Sequence, residues 1–227
     1  AYDAWYKGFV AEAMDAFCRT TEAMDSSGRR HAGLLTADDM ARWTPTYEMP
    51  ASVSYHGWEV FKAGIWSQGP VFLQTLKILE GIDIAGMGPA SPEFVHHVAE
   101  ALKLAFADRE AYYGDPDFVS VPYATLISED YARGRRNLIS DRASHELRPG
   151  MIAGHEEQVR RMLAGVRIVG STASGGATVG EPTIASMVAA GRRGDTVHID
   201  VIDKWGNMIA ATPSGGWLQS SPVIPEL

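Results

Sequence analysis

Cysteine is nearly missing: Cys18 is the single one among 227 residues. One thiol excludes an internal disulfide and a thiolate metal cage, and it leaves the compartment open between exported and cytoplasmic. The helical pattern around Cys18 predicts a buried, inert side chain. No apolar run approaches the ~20 residues that a membrane-spanning helix needs. Basic charge is short too, with 20 Lys and Arg against 28 Asp and Glu, a formal charge of -8. That balance, with no basic stripe, argues against nucleic acid as a partner. The chain holds no G-x-S-x-G elbow, P-loop or dinucleotide fingerprint, and Gly175-Gly176-Ala177-Thr178 is too loose to cradle phosphate. No cofactor and no metal is implied. The first residue is Ala, no targeting segment leads the chain, and its end, Ser-Ser-Pro-Val-Ile-Pro-Glu-Leu, carries no terminal element or cap. A lone hairpin near such an end is marginal without further strands, so the expectation is a piece of a longer protein.

What is present is a hydrophobic share of 45%, enough for a core in one large domain or two small ones. Trp5, Phe9, Ala13 and Phe17 recur at helical spacing and predict an amphipathic helix over 3–24, stopped by Ser26-Ser27-Gly28. Thr36 reads as the N-cap of a short helix over 37–43. Residues 51–63 read as a hairpin turning at His56-Gly57. A helix over 71–79 would place Phe72, Leu76 and Leu79 on one face. Ser91-Pro92 opens the longest helix, running to about Tyr113 with Val98, Leu102 and Ala105 inward and Gly114 closing it. Another helix covers roughly 128–138. After Arg148 the texture changes, and 164–194 is rich in Gly, Ser and Thr. It reads as a flexible segment or an ordinary surface loop.

At Asp195 the loose stretch stops, and at Thr196 a strand pattern begins. Val197, Ile199 and Val201 share one face, and Thr196, His198 and Asp200 share the other. Lys204-Trp205-Gly206 fits a three-residue loop with Gly in the left-handed position. That register pairs Asp203 with Asn207 and puts Thr196 opposite Ser214, with Cβ atoms about 5 Å apart. A two-residue loop would slip the register and turn Ser214 to the other face. A threonine at such a junction becomes a nucleophile if the bond before it is cut, because its new amine lies beside its own hydroxyl. The dull alternative is that Thr196 is a good β-former and that Pro213-Ser214-Gly215-Gly216 is an ordinary turn.

Two other clusters carry titratable groups. His96, His97 and Glu100 lie on the long helix, but only one His shares a face with Glu100, which favours a solvated face over a metal site. Asp108, Glu110, Asp115 and Asp117 form an acidic run. Paired carboxylates could serve acid–base chemistry, but turn chemistry at Asp115-Pro116-Asp117 with salt bridges to Arg109 or Lys103 is the simpler reading.

Four stretches, in order, carry a family likeness. They are Leu35 to Met40 with Tyr55 to Val60, Leu73 to Gly81, His97 to Arg109 with Gly114-Asp115-Pro116, and Asp195 to His198 with Asp203 to Asn207. Together they resemble the γ-glutamyltransferase (γ-glutamyltranspeptidase) family of N-terminal nucleophile hydrolases. The resemblance implies an α+β fold, part of a four-layer αββα sandwich, and a precursor that cuts itself at Asp195–Thr196. Residues 1–195 would be the later half of the large subunit, with a flexible pre-cleavage segment over about 149–195. Residues 196–227 would open the small, catalytic subunit, and the two subunits would stay together. Thr196 would be nucleophile and, through its amine, base, with Ser214 orienting it. The arginine for the substrate α-carboxylate, the oxyanion glycine pair and the acidic residues for the α-amino group would fall outside 1–227, which would leave this piece inactive by itself.

The sequence departs from the family pattern at two places. Ser67-Gln68-Gly69-Pro70 replaces a Ser-Ser-Gly-Gly turn, and Gly216 stands at the substrate-contacting position where the archetypal γ-glutamyl enzymes have Asn. The expected activity is acyl transfer or hydrolysis on a γ-glutamyl compound such as glutathione, with water or an amine as acceptor. The alternatives are a non-glutamyl acylase of the same family and an uncut, non-catalytic paralogue used for binding.

Overall fold

The computed structural model describes residues 1–24, 29–172, 197–212, 223–225 and 227. The chain forms two compact units, one of Ala1–Thr46 with Gly175–Leu227 and one of Tyr47–Ser174. This division follows packing and is separate from the cleavage junction read from the sequence. Among the described residues no helix is long and apolar enough to cross a membrane.

In the first unit the single helix expected over 3–24 is broken. Helix α1 (Tyr2–Tyr6) ends before Gly8, whose extended backbone separates it from α2 (Phe9–Thr20). The chain then enters strand β1 (Glu22–Met24), which pairs antiparallel with β2 (Arg30–Ala32). The expected stop at 26–28 lies outside the described residues. Val10 and Ala11 are the buried positions of α2, whereas Trp5 and Phe9 are exposed. Cys18 is half-buried rather than buried, against Gly33, whose amide donates to the Cys18 carbonyl at 2.9 Å. Helix α3 (Ala37–Arg42) starts as expected at Thr36. The Thr36 hydroxyl accepts from the Asp39 amide at 3.2 Å, and Asp39 accepts from the Thr36 amide at 3.0 Å, so two orphan donors are satisfied reciprocally.

The second unit opens on the expected hairpin, β3 (Ala51–Tyr55) against β4 (Trp58–Lys62). His56 and Gly57 take φ of 48° and 85°, both left-handed, which matches the twist of the flanking strands. Five helices follow: α4 (Gly69–Leu79), α5 (Pro92–Tyr112), α6 (Tyr123–Leu126), α7 (Glu129–Arg136) and α8 (Glu156–Thr172). Helix α8 corrects the expectation of a loose chain after Arg148. Ile152 and Val159 are buried with Ala111, Tyr112 and Leu126, so the segment is anchored by packing. Residues 173–196 lie outside the described residues.

Helices α4 and α5 pack together, and α7 closes over them. Their shared core is Val71, Ile78, Leu79, Ala101, Leu104, Ala105 and Ala132. Burying a Leu fully is worth about 1.5–3 kcal/mol, and Leu104 and Ile78 are both fully enclosed. The buried stripes match the predicted ones in part, with Leu79 and Ala105 buried as expected. Phe72 is exposed, and Val98 and Leu102 are only half-buried, while Leu73, Ala101 and Leu104 face inward. Helix α5 does start at Ser91, whose hydroxyl accepts from the Phe94 amide at 3.1 Å. It ends because Tyr113 turns extended, not through a left-handed Gly114. Helix α7 is shorter than expected at both ends, beginning after the Ser128 cap. Arg136 seals the C-terminus of α4, donating to the Ile78 and Lys77 carbonyls at 2.7 and 2.9 Å.

Glu100 is not on a solvated face. It is 1% exposed and pairs with Lys103 and with Arg148 (2.8 Å), while the Ser144 amide donates to it at 3.1 Å. Burial raises its affinity for a proton, but these three partners outweigh that and hold the carboxyl below its usual value. A depressed carboxylate stabilises the fold above the unfolded pKa, and that contribution is lost as pH falls through the folded one. Glu100→Gln is therefore expected to lower the melting temperature at pH 7. The gap should start to narrow as pH falls below the ordinary glutamate value of about 4.3 and close only below the depressed native one, where the native carboxyl is neutral as well. A melting-temperature difference that stays constant from pH 7 to 3 would show that the charge is not what matters.

Candidate active site

The candidate hairpin comprises β5 (Ile199–Ile202) and β6 (Met208–Ala211), paired antiparallel with Ile199 opposite Ala211 and Ile202 opposite Met208. Its loop is the three-residue one expected from Lys204-Trp205-Gly206. Gly206 has φ of 85°, where a side chain would be strained, and the Asp203 amide donates to the Asn207 carbonyl at 3.0 Å. Asp203 ties the loop. Its carboxylate accepts from the Asn207 side chain at 2.8 Å, from the Asn207 amide at 3.0 Å and from the Trp205 amide at 2.9 Å. Those bonds, the Asn207 side chain foremost, hold its carboxyl below the usual range. The Lys204 ammonium sits 4.4 Å from the Trp205 ring centre. The register is thus fixed by local chemistry, and it is the register read from the sequence.

One face of the ribbon carries Val197, Ile199, Val201 and Ile209, all exposed. The other is polar toward its open end. The His198 ring lies between two partners, with Nδ1 2.7 Å from the Thr212 hydroxyl and Nε2 3.0 Å from the Asp200 carboxylate. Sequence reading placed His198 and Asp200 on the face of Thr196 but gave them no role. The signal was the alternation His198, Asp200 on one strand facing Thr212 on the other. Asp195 and Thr196 immediately precede this ribbon, and Ser214 and Gly216 follow it. All four lie outside the described residues, as does Gly175 to Thr178.

The acidic run falls in the other unit and divides into separate tasks. Asp108 is fully buried on α5. It accepts from Gln74 Nε2 at 2.5 Å and from the Gly150 amide at 2.7 Å, and it lies 3.2 Å from Arg135 Nε. Burial raises its proton affinity, and the Arg135 charge opposes that. Glu110 pairs with Arg109 as expected. Asp115 accepts from the Asp117 amide at 2.9 Å, the expected turn chemistry. Lys103 pairs with Glu100 and not with the acidic run.

A cavity of about 510 Å³ opens where Trp66, Gln68, Arg109, Glu110, Tyr113 and Asp115 converge. Arg109 there donates to Gln68 at 2.5 Å and to Glu110, so its charge is already balanced. The turn at Ser67-Gln68-Gly69-Pro70 brings backbone close to backbone, since a Cβ on Gly69 would lie 2.7 Å from the Ala63 carbonyl. Among the described residues no group of three His, Cys, Asp or Glu side chains is placed to hold a metal. His96 Nε2 instead meets the Ser140 carbonyl at 2.6 Å, and His97 Nδ1 meets the Glu93 carbonyl at 2.8 Å.

The sequence model of the family described as Gamma-glutamyltranspeptidase matches residues 1–227. The chain is 30% identical over 214 residues to the glutathione hydrolase proenzyme of Escherichia coli (strain K12), covering 92% of this chain and 29% of that protein. It is 33% identical over 211 residues to the acylase ACY 1 proenzyme of Pseudomonas sp. (strain SE83), again covering 92% of this chain and 29% of that protein. Among solved structures, a cephalosporin acylase from Bacillus halodurans superposes with a TM-score of 0.66 at 25% identity, over 98% of this chain and 31% of that one. The chain spans under a third of the length of these relatives. With the family model matched from the first residue to the last, the chain belongs to the gamma-glutamyltranspeptidase family.

Proposed function

We propose that the complete protein is a self-cleaving amide acyltransferase or hydrolase whose nucleophile is Thr196. The observation that supports this most is the hairpin register, which ends at Ile199 opposite Ala211 and, if continued three residues further, would bring Thr196 across from Ser214. The Thr196 hydroxyl attacks the Asp195 carbonyl, the C–N bond between Asp195 and Thr196 breaks to free the α-amino group, and water hydrolyses the resulting ester. An unperturbed α-amine has a pKa of ~7.7–8.0, so near neutrality part of it is uncharged and can take the proton of its own hydroxyl. Thr196 then attacks a substrate amide, an acyl-enzyme forms, and water or an amine takes the acyl group. Ser214 hydrogen-bonds Thr196 and orients it. Backbone donors elsewhere in the protein stabilise the oxyanion, each by roughly 3–4 kcal/mol. In this reading 1–195 and 196–227 belong to large and small subunits that remain associated in an αββα sandwich.

The substrate class we infer is a γ-glutamyl compound such as glutathione. A second reading, a non-glutamyl acylase, is favoured by Gly216, which offers no side chain where γ-glutamyl enzymes of the family present Asn. The two separate in one experiment. The processed full-length protein is given a chromogenic γ-glutamyl anilide and, in parallel, oxamate and an acylated β-lactam. Release of the aniline supports the first reading, and turnover of another amide alone supports the second. No turnover of any amide by cleaved protein would refute both.

A further inference from the structure

The cavity between the turn before α4 and the end of α5 is unevenly satisfied. Its volume of about 510 Å³ lies within the ~300–1,000 Å³ of small-molecule pockets. Its one cation is occupied: Arg109 donates through Nε to Glu110 Oε1 at 3.0 Å and through Nη1 to Gln68 Oε1 at 2.5 Å, and its guanidinium lies 4.9 Å from the Phe106 ring centre. Its two carboxylates are each half occupied. Glu110 takes Arg109 on Oε1, and Asp115 takes the Asp117 amide on Oδ1 at 2.9 Å. Among the described residues nothing donates to Glu110 Oε2 or to Asp115 Oδ2. The amino end of α4 offers no compensating donor, since the Gly69 amide goes to the Ser67 hydroxyl at 3.1 Å, Pro70 has none, and the Val71 amide goes to the Gln68 carbonyl at 3.2 Å. Trp66 and Tyr113 supply aromatic wall. The Trp66 indole is held by its N–H bond to Glu48 at 2.6 Å and is still 60% exposed, so a fixed, electron-rich ring is left open.

We propose that this cavity binds a small organic ammonium ion, with its charged head at Glu110 and Asp115 and its carbon body against Trp66 and Tyr113. One guanidinium set against two carboxylates leaves the lining one positive charge short, and a monocation fills that deficit. A primary ammonium carries three N–H donors, enough for the two open carboxylate oxygens and one water. An anion meets no open amide at α4 and a guanidinium already paired with Glu110. An uncharged ligand leaves the charge deficit unfilled. The cavity is far larger than an ammonium head, so the ligand has an apolar body to set against the rings. Every group used here lies between Trp66 and Asp115, so the site does not depend on the reading of Thr196.

The test is isothermal titration of the full-length protein at neutral pH with probes of one shape and different charge: 2-phenylethylamine, 2-phenylethanol and phenylacetate. The amine is expected to bind at least about fivefold more tightly than the alcohol, and phenylacetate more weakly than either. Asp115→Asn leaves the Arg109–Glu110 pair in place and removes the excess negative charge. It should lower amine affinity about fivefold and change alcohol affinity by less than about twofold. Trp66→Leu should weaken the amine more than the alcohol, because the alcohol loses apolar contact alone. Gln68→Glu adds a carboxylate at an exposed position, so amine affinity should rise about threefold, a gain that misfolding cannot mimic. Equal affinity for amine and alcohol, or a preference for phenylacetate, overturns the proposal. So does a lack of saturable amine binding at millimolar concentration, the result expected if the rest of the protein fills the cavity. Amine binding untouched by all three substitutions places the amine elsewhere and overturns it as well.

Discussion

Thr196→Ala in the full-length protein is expected to give one uncut chain and no measurable amide turnover. In the proposed mechanism the substitution removes the hydroxyl that attacks the Asp195 carbonyl, so the amine that would serve as base is never released. Two functions are lost with one oxygen atom. Loss of a nucleophile from a unit of this kind lowers kcat by on the order of 10⁶-fold, which here means falling to background. Thr196→Ser retains an attacking hydroxyl, so it is expected to be cut more slowly and to keep some activity. Intact-mass measurement and N-terminal sequencing decide the matter. The mature wild type should yield a chain beginning Thr-Val-His-Ile. An uncut wild type, or a Thr196→Ala protein processed like wild type, would end the case for Thr196.

The second large effect concerns stability. Asp108→Ala is expected to destabilise the protein by about 3–5 kcal/mol, because Arg135 is then left as a buried charge without its counter-ion. Arg135 is 4% exposed and cannot swing to solvent, and Asp108 is 0% exposed. The same carboxylate holds the Gly150 amide, and the Gly150 carbonyl in turn accepts from the Tyr112 hydroxyl at 2.5 Å. Loss of Asp108 therefore loosens the segment that leads into α8 as well as the seam between α5 and α7. If charge is the main cost, adding Arg135→Met to Asp108→Ala should recover most of the loss, since an apolar pair of similar volume replaces a buried ion pair with little penalty. Denaturant unfolding of the wild type, the single variant and the double variant gives the answer. A single variant within about 1 kcal/mol of wild type would show that the pair contributes little, and a double variant no better than the single one would assign the cost to the Gly150 hydrogen bond.

Some of this structure was legible from neighbours in the chain. The β3–β4 and β5–β6 hairpins turn where glycine at positive φ follows a short polar or aromatic stretch, and the Thr36 and Ser91 caps each satisfy an amide three residues on. The register of β5 and β6 follows from a loop whose hydrogen bonds are all made between Asp203 and Asn207. Of the candidate site, the face that His198 shares with Asp200 was legible from period-two alternation, while Asp195, Thr196, Ser214 and Gly216 lie outside the described residues. The contact between His198 and Thr212 needed the strands laid side by side.

The rest was decided by partners distant along the chain. Glu100 meets Arg148 across 48 residues, and Asp108 meets Gln74 across 34 and Gly150 across 42. No local pattern distinguishes those carboxylates from their solvated neighbours on the same helix. The partial mismatch of the buried stripes has the same origin. Phe72 looks like a core residue by type, yet Leu73 and Gln74 are the ones fully buried, Gln74 with a hydrogen bond to Asp108 on α5. By itself the sequence determined turns, caps and strand register, because each is a hydrogen-bond arrangement closed within a few residues. Only the tertiary structure decided which helix face is dry and which charges are paired, because burial and ion pairing depend on what the rest of the chain brings to that surface.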